Sequence, residues 1–363
     1  MNKKRWMFGL LAGAMALTGC ASSKSASSVD LNSMTLAQIT EKAKAEGQLA
    51  TVGMPDTWAN WGETWKEYTA KYGIKHADTD MSSAEELSLF SSEKSNATKD
   101  MGDVGQAFGP IAKQEGLSMA YKTSYWNSIP SWAKDKDGHW IIGYYGTLAI
   151  MTNKKLVKNP PKSFADILKG NYKVSVGDVS AANQAQFAVL AAAIANGGSE
   201  SNIKPGLDYF KKIAQQGRLD KGEFSLSRIE KGEIQVALIW DYNALGYQKQ
   251  ILANNKNASF DITIPKEGSI QSGYCTIINK YTKHPYAAAL ARNYILSDEG
   301  QINLAKGYAR PVRNVTLPAS VKKALLPDNL YKNSRMVKDQ SAWDKTTKSI
   351  GSQWKEQVLT YAK

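Results

Sequence analysis

Cysteine and histidine are scarce in this chain of 363 residues, which contains two cysteines and three histidines. The histidines, His76, His139 and His284, lie far apart, and none stands beside other residues at the spacing of a metal site. Beyond the first twenty residues the chain has a single cysteine, Cys275, which we expect to be a small buried hydrophobic residue. We therefore predict neither a metal nor any other cofactor.

Catalytic motifs are lacking as well. The sequence has no Gly-x-Ser-x-Gly turn, no Walker loop and no His-Glu-x-x-His helix. No pairing of a nucleophile with a general base stands out either. These absences favour a binding protein over an enzyme, and a hydrolase is the least favoured class.

Long apolar runs are rare, and the one at the amino terminus is too short to span a bilayer. Lys3, Lys4 and Arg5 precede an apolar run from Met7 to Leu17, and Thr18-Gly19-Cys20 follows at once. This order is typical of a lipoprotein signal peptide, here residues 1–19, and predicts that Cys20 is acylated. The acyl chains would anchor the protein to a membrane of the cell envelope.

Residues 20–33 are rich in serine and alanine and show no apolar period. We expect them to form a flexible tether, and we expect the folded part to begin near Met34.

The formal charge is +13, from 46 basic and 33 acidic residues. Three positive charges lie in the signal segment, which leaves +10 for the remainder. The lysines are scattered and form no dense block, so nucleic-acid binding is not indicated. An excess of positive charge instead favours attraction of an anionic solute.

Short apolar segments alternate with segments of helical periodicity, which predicts an α/β protein with largely parallel sheets. About 330 residues beyond the tether exceed what one core usually accommodates, so two lobes are expected. The predicted strands are 48–52, 101–104, 140–151, 172–176, 235–240, 260–264 and 274–279. The predicted helices are 57–72, 181–195, 204–215, 227–231, 243–252 and 285–297.

Six segments resemble a known family. They are Lys44–Gly47, Lys154-Lys155 with Pro160–Leu168, Gly232–Ala237, Tyr274–Asn279, His284-Pro285 with Ala287–Ala291, and Ser297–Gln301. In this order they resemble the solute-binding proteins of the ferric iron, aminoethylphosphonate, hexose-phosphate and polyamine importers. The resemblance implies a binding protein that works with an ABC permease and its ATPase, and we expect a monomer.

The resemblance also implies a two-lobed type II periplasmic-binding-protein fold, with two crossing strands near Gly143–Ala149 and Ser269–Cys275 as the hinge. Lobe 1 would comprise residues 34–144 plus 274–363, and lobe 2 residues 145–273. The tail from Leu317 to Lys363 would be helical and pack over lobe 1.

Open α/β sheets bind ligands beyond the carboxyl ends of their strands, at the amino termini of helices. This rule selects the turns 53–58, 105–109, 177–183, 240–243 and 271–274. In the third turn, Ser180 supplies a hydroxyl, and Ala181 and Ala182 are small enough to leave their amides accessible. With Asn183 they form a predicted oxyanion cradle. The alternative is that Asp178 or Ser180 merely caps the helix.

The other turns contribute aromatic and polar candidates for the ligand site. They are Trp58, Phe108, Tyr144, Asp241, Tyr242 and Tyr274. Tyr144 and Tyr145 are adjacent, but neighbours in a strand point to opposite faces, so the pair is not expected to chelate one ion. In the iron-binding branch the tyrosine pair corresponds to the segment here that contains Trp240-Asp241-Tyr242-Asn243, which lacks such a pair.

The sequence therefore predicts a lipid-anchored importer protein for a small anion bearing a phosphate or phosphonate group. A ferric complex is the second candidate ligand. A polyamine is third, because positive net charge disfavours a cation. An adhesin-like surface lipoprotein is the alternative of a different class.

Overall fold

Eleven strands and thirteen α-helices form residues 29–362, the part of the chain that the computed structural model describes. The strands are β1 (Gln48–Val52), β2 (Lys75–Thr79), β3 (Met101–Gly105), β4 (Ser118–Met119), β5 (Trp140–Asn153), β6 (Val174–Ser175), β7 (Val236–Trp240), β8 (Phe260–Thr263), β9 (Ile270–Asn279), β10 (Arg310–Pro311) and β11 (Arg335–Met336). The helices are α1 (Leu36–Glu46), α2 (Trp61–Tyr72), α3 (Ser83–Glu93), α4 (Phe108–Gln114), α5 (Phe164–Lys169), α6 (Asn183–Ala195), α7 (Lys204–Gln215), α8 (Leu226–Glu230), α9 (Asp241–Asn254), α10 (Pro285–Ile295), α11 (Asp298–Lys306), α12 (Ala319–Ala324) and α13 (Gln340–Gln357).

The long strands β5 and β9 join two sheet segments. The strand order is β2-β1-β3-β9-β5-β7-β6, and β8 and β10 also pair with β5. β1 is parallel to β2 and β3, and β6 is parallel to β7, whereas β9 is antiparallel to both β3 and β5. The expectation of largely parallel sheets is therefore wrong at the centre, because the two strands that pass between the segments run in opposite directions.

A register shift between Ile142 and Tyr144 marks a bulge in β5 at Gly143. A bulge re-aims the side chains that follow it. Tyr144 is fully buried, while Tyr145 packs against Trp132 with ring centroids 5.7 Å apart. The neighbouring tyrosines thus have different surroundings, as strand geometry predicts.

Helix α6 is buried along most of its length, because its sequence is apolar on every side. One of its covers is the carboxyl-terminal helix α13: Trp343 packs on Phe187 at 5.2 Å between centroids, and Trp354 packs on Phe210 of α7 at 5.3 Å. The expectation that the tail packs over lobe 1 is therefore wrong, since α6 and α7 lie in the range expected for lobe 2. Two tryptophans on one face of α13 fit the apolar surface of these two helices.

The folded unit begins at Leu31, slightly before the predicted Met34. Leu31 is fully buried, and the Asn32 side chain accepts a hydrogen bond from the Lys122 amide at 2.8 Å. The predicted signal peptide and Cys20 lie outside the described residues. Within residues 29–362, no helix has both the length and the apolar character needed to cross a bilayer.

Candidate ligand-binding cavity

A cavity of about 880 Å³ opens between the two sheet segments. Its wall includes the turn after β1, the loop from β2 into α3, the turn after β6, and the start of α9. Four of the five turns selected from the sequence contribute to the wall, namely 53–58, 177–183, 240–243 and 271–274. The remaining turn, 105–109, does not, and Phe108 is buried at the start of α4.

Aromatic rings are packed at one end of the cavity, where β5, β9 and α9 meet. Trp58 contacts Tyr274 at 5.5 Å and Tyr242 at 5.8 Å between ring centroids. Tyr144 stacks on Tyr274 at 5.7 Å and meets Tyr242 edge-on at 5.6 Å. Trp58 and Tyr274 line the cavity, and Tyr144 and Tyr242 support them from behind. Four residues from four separate parts of the chain, the turn after β1, β5, β9 and α9, are thus brought together.

A chain of hydrogen bonds leads from this aromatic cluster to a buried carboxyl group. The Trp58 indole donates to the Tyr144 hydroxyl at 2.8 Å, and that hydroxyl donates to Asp103 at 2.6 Å. Asp103 is 1% exposed and lines the cavity. Burial raises its pKa to about 8, against the opposing hydrogen bond from Tyr144.

Glu86 is the second buried acid of the cavity wall. It accepts a hydrogen bond from the Asp103 amide at 3.0 Å. Its carboxyl group lies against Gly53 and Gly102, where any side chain would clash with it. Burial raises the pKa of Glu86 well above its usual value, and the charge of Asp103 adds to this effect. Two interacting acids therefore lie side by side at the base of the cavity.

Carboxylates outnumber lysines in the cavity wall. The acidic residues are Asp80, Glu85, Glu86, Asp103, Asp178, Asp220 and Glu223, and the basic residues are Lys221 and Lys355. Asp220 is paired with Arg228 at 3.0 Å, and Glu86 and Asp103 favour their neutral forms. The other four carboxylates are exposed near the mouth of the cavity. The local charge is therefore negative, although the whole chain is basic.

Several buried polar groups near the aromatic cluster make no hydrogen bond within the described residues. Among them are the side-chain amides of Asn183 and Asn243, which both line the cavity, and the hydroxyl group of Tyr242. An unpaired buried polar group costs about 1–3 kcal/mol. A ligand with polar atoms would remove this cost at Asn243.

The turn before α6 is closed by contacts within itself, and neither Asp178 nor Ser180 caps the helix, because the N-cap residue is Ala182 and no side chain caps it. The carboxylate of Asp178 accepts hydrogen bonds from the Ser180 amide at 2.8 Å and from its hydroxyl at 2.7 Å. The amides of Ala181 and Ala182 donate to the Asp178 carbonyl at 3.2 and 2.8 Å. Three of the four groups expected to hold an anion are thus already engaged. The fourth residue, Asn183, begins α6, and its side chain packs against Gly105.

Asp241 is also engaged. It accepts hydrogen bonds from the amides of Thr147 and Tyr242, both at 2.9 Å, and from the Tyr331 hydroxyl at 2.6 Å. It lies outside the cavity wall. Its contacts are those of a residue that fixes the start of α9 against β5.

The tyrosines near the cavity are buried phenols. Burial raises the pKa of Tyr144, Tyr242 and Tyr274 above the usual value. Ferric iron binds the ionised form of tyrosine, which this environment disfavours. Among residues 29–362, no group of three histidine, cysteine or carboxylate side chains is placed to hold a metal ion.

Sequence reasoning missed three segments of the wall, Asp80–Glu86, Leu219–Phe224 and Trp354–Leu359, as well as the single residues Asp103 and Tyr247. The first carried a usable signal, because Ser82 and Glu85 form the capping box that starts α3. The other two depend on how distant parts of the chain pack, which local patterns do not reveal.

Comparison with known proteins gives the class of the protein. The family described as bacterial extracellular solute-binding protein matches residues 96–346. A search of curated proteins gave no significant match.

Solved structures share the fold at low sequence identity. AfuA from Actinobacillus pleuropneumoniae, a periplasmic binding protein with fructose-6-phosphate bound, has a TM-score of 0.72 at 16% identity, covering 86% of this chain and 98% of that one. The ferric binding protein from Campylobacter jejuni has a TM-score of 0.65 at 22% identity, covering 85% and 98%. A periplasmic thiamin binding protein has a TM-score of 0.68 at 17% identity, covering 86% and 96%. The fold implied by the sequence resemblance is thereby confirmed. The chain belongs to the bacterial extracellular solute-binding proteins of ABC transporters and has the type II periplasmic-binding-protein fold.

Proposed function

We propose that this protein captures a small, positively charged, amine-bearing solute in the cavity and delivers it to an ABC permease. The observation that carries the proposal is the charge of the wall, where four exposed carboxylates, Asp80, Glu85, Asp178 and Glu223, face two lysines. Clefts lined by one sign of charge concentrate solutes of the opposite sign. The polyamine class, third in the sequence ranking, therefore becomes the best-supported one.

Exposed carboxylates stand on both sides of the cavity mouth. Asp80 and Glu85 come from the loop and helix after β2, and Asp178 and Glu223 come from the second sheet segment. The pKa of Glu85 is lowered first by hydrogen bonds from Ser82, against the opposing charge of Asp178. These like charges would attract a cation and would be drawn together by it.

The aromatic wall suits a cationic solute. Trp58 and Tyr274 present ring surfaces to the cavity, and ammonium groups bind such surfaces with about 0.5–2 kcal/mol. Asn243 would accept a hydrogen bond from an ammonium N–H. Asp103 and Glu86 would supply negative charge at the base after losing their protons.

An anionic ligand has less support. A phosphate ligand was predicted from the net charge and from free amides at Ser180–Asn183. The amides of Ser180, Ala181 and Ala182 are engaged by Asp178, whose carboxylate would repel an anion at the same turn. The lysines that produce the net charge lie mostly outside the cavity wall.

Calorimetric titration tests the proposal directly. The panel comprises aliphatic diamines, a quaternary ammonium alcohol, phosphate esters, aminoethylphosphonate and ferric citrate. We expect an amine to bind and Asp103→Asn to weaken binding, whereas Asp208→Asn, a matched change at a partly exposed position of α7 outside the wall, leaves affinity unchanged. Binding of a phosphate or iron ligand alone would refute the proposal.

We propose in addition that two lobes close on the solute about β5 and β9. Lobe 1 is residues 34–144 plus the chain from 274 to the start of the tail, and lobe 2 is residues 145–273. The tail is assigned to lobe 2, because α13 packs on α6 and α7. Closure would bury the solute and change the surface offered to the permease.

The site of action follows from the amino-terminal pattern. We propose that residues 1–19 are removed, that acylated Cys20 anchors a monomeric protein to the cell envelope, and that residues before Leu31 act as the tether. An anchor holds the binding protein near its transporter and raises the effective concentration of the pair.

A further inference from the structure

The carboxyl-terminal tail, defined as α13 and the short 3-10 helix Leu359–Tyr361, reaches the cavity. Trp354, Lys355 and Leu359 belong to its wall. All three lie beyond residue 346, where the match to the family ends. The tail therefore adds a wall that the family-matched part of the chain does not supply.

The tail is held in place by contacts along its length. Thr346 donates to the Glu200 carbonyl at 2.7 Å, and Arg335, just before α13, pairs with the Glu200 carboxylate at 2.6 Å. Trp354 is 3% exposed. At Gly351 the backbone touches the turn before α6, where an added Cβ would lie 2.9 Å from the Cα of Ser180. The wall is thus fixed against the second sheet segment.

The tail also contacts the first sheet segment. The Gln106 side chain, in the turn after β3, donates to the Gln340 side chain at 3.3 Å. The tail therefore contacts both sides of the cavity while its anchoring contacts lie on one side. A solute that projects from the buried acids toward the tail would meet Leu359, which is only partly buried.

We propose that the tail sets the maximum length of the solute, with Leu359 as the specificity-determining residue. The inference rests on the proposed function in one respect, that the solute is an amine. In this wall Leu359 and Trp354 are apolar and Lys355 is cationic, so the tail would accept the carbon chain of a solute of suitable length and repel the second ammonium group of a longer one. The acids at the base of the cavity select the charge of the solute, and the tail selects its length.

Titration with a homologous series from diaminobutane to diaminodecane tests the inference. Wild-type affinity should fall beyond a certain chain length. Leu359→Ala should shift the preference toward longer diamines, changing the ratio of long to short affinities by about tenfold or more. Leu359→Trp should shift it toward shorter ones. Leu156→Ala, a matched change at an exposed position outside the wall, should keep the wild-type profile.

The outcomes are distinguishable. If diamines bind but Leu359→Ala and Leu359→Trp both keep the wild-type length profile, the inference fails and the proposed function stands. If no diamine binds the wild type, both the proposed function and the inference fail. Thermal unfolding of each variant shows that it is folded before titration.

Discussion

The carboxyl group of Asp103 should make solute binding depend on pH. Burial raises its pKa to about 8, so the group holds a proton at neutral pH in the ligand-free protein. A bound ammonium favours the ionised form. Binding should therefore release a proton, and affinity should rise as the pH rises toward 8.

The magnitude follows from the pKa. About 1% of Asp103 is ionised at pH 6 and about 9% at pH 7, which makes apparent affinity about tenfold higher at pH 7, or ~1.4 kcal/mol. The pKa of Glu86 is raised for the same reason and acts in the same direction. His76 does not interfere, because burial lowers its pKa to about 4 and it stays neutral in this range.

The assay is calorimetric titration with diaminobutane at the two pH values, each in two buffers of different ionisation enthalpy. Wild type should show the tenfold rise and a buffer-dependent heat that reports proton release. Asp103→Asn should lose most of both effects, and Asp208→Asn should keep them. An affinity that is flat or falls between pH 6 and pH 7, or heats independent of buffer, would refute the reasoning.

The same acid affects stability in the ligand-free protein. The pKa of Asp103 is higher in the folded protein than in the unfolded chain. The contribution of Asp103 to the free energy of unfolding is therefore fully present below about pH 4 and is lost as the pH rises through about 8. Urea unfolding across this range should show a decline that Asp103→Asn reduces.

Four further results are expected. Tyr144→Phe removes the hydroxyl that joins Trp58 to Asp103 and should cost about 1–3 kcal/mol in urea unfolding; no loss would contradict the buried hydrogen-bond chain. Ser180→Ala should leave calorimetric affinity within about twofold of wild type, because its hydroxyl is engaged within its own turn; a tenfold loss would restore the oxyanion cradle. Small-angle scattering should show a smaller radius of gyration with saturating amine, and an unchanged radius would count against lobe closure. Cys20→Ser should move the protein from the membrane pellet to the soluble fraction, and unchanged partitioning would argue against acylation.

Local patterns predicted the apolar elements well. The strand at 48–52 and the helix at 204–215 have the predicted bounds, because in each the apolar residues recur at the spacing that places them on the buried face. The strand β2, Lys75–Thr79, was missed because it is a polar edge strand with no buried residue. Edge strands of this kind lack the apolar signal.

The candidate site was predicted in part. The rule on strand ends selected the turns that contain Trp58, Asn183 and Tyr274, all of which lie in the wall. Glu86 was not predictable, because its burial depends on contact with two glycines distant in sequence. Net charge did not predict the negative charge of the cavity wall, because it sums lysines that lie mostly outside that wall.

Native mass spectrometry of the freshly purified protein tests the central claim most directly, because a cavity of this kind can retain its solute through mild purification. The protein should carry a small adduct whose exact mass, determined after release, contains a basic nitrogen and neither phosphorus nor iron. An adduct that contains a phosphate group or iron would contradict the account.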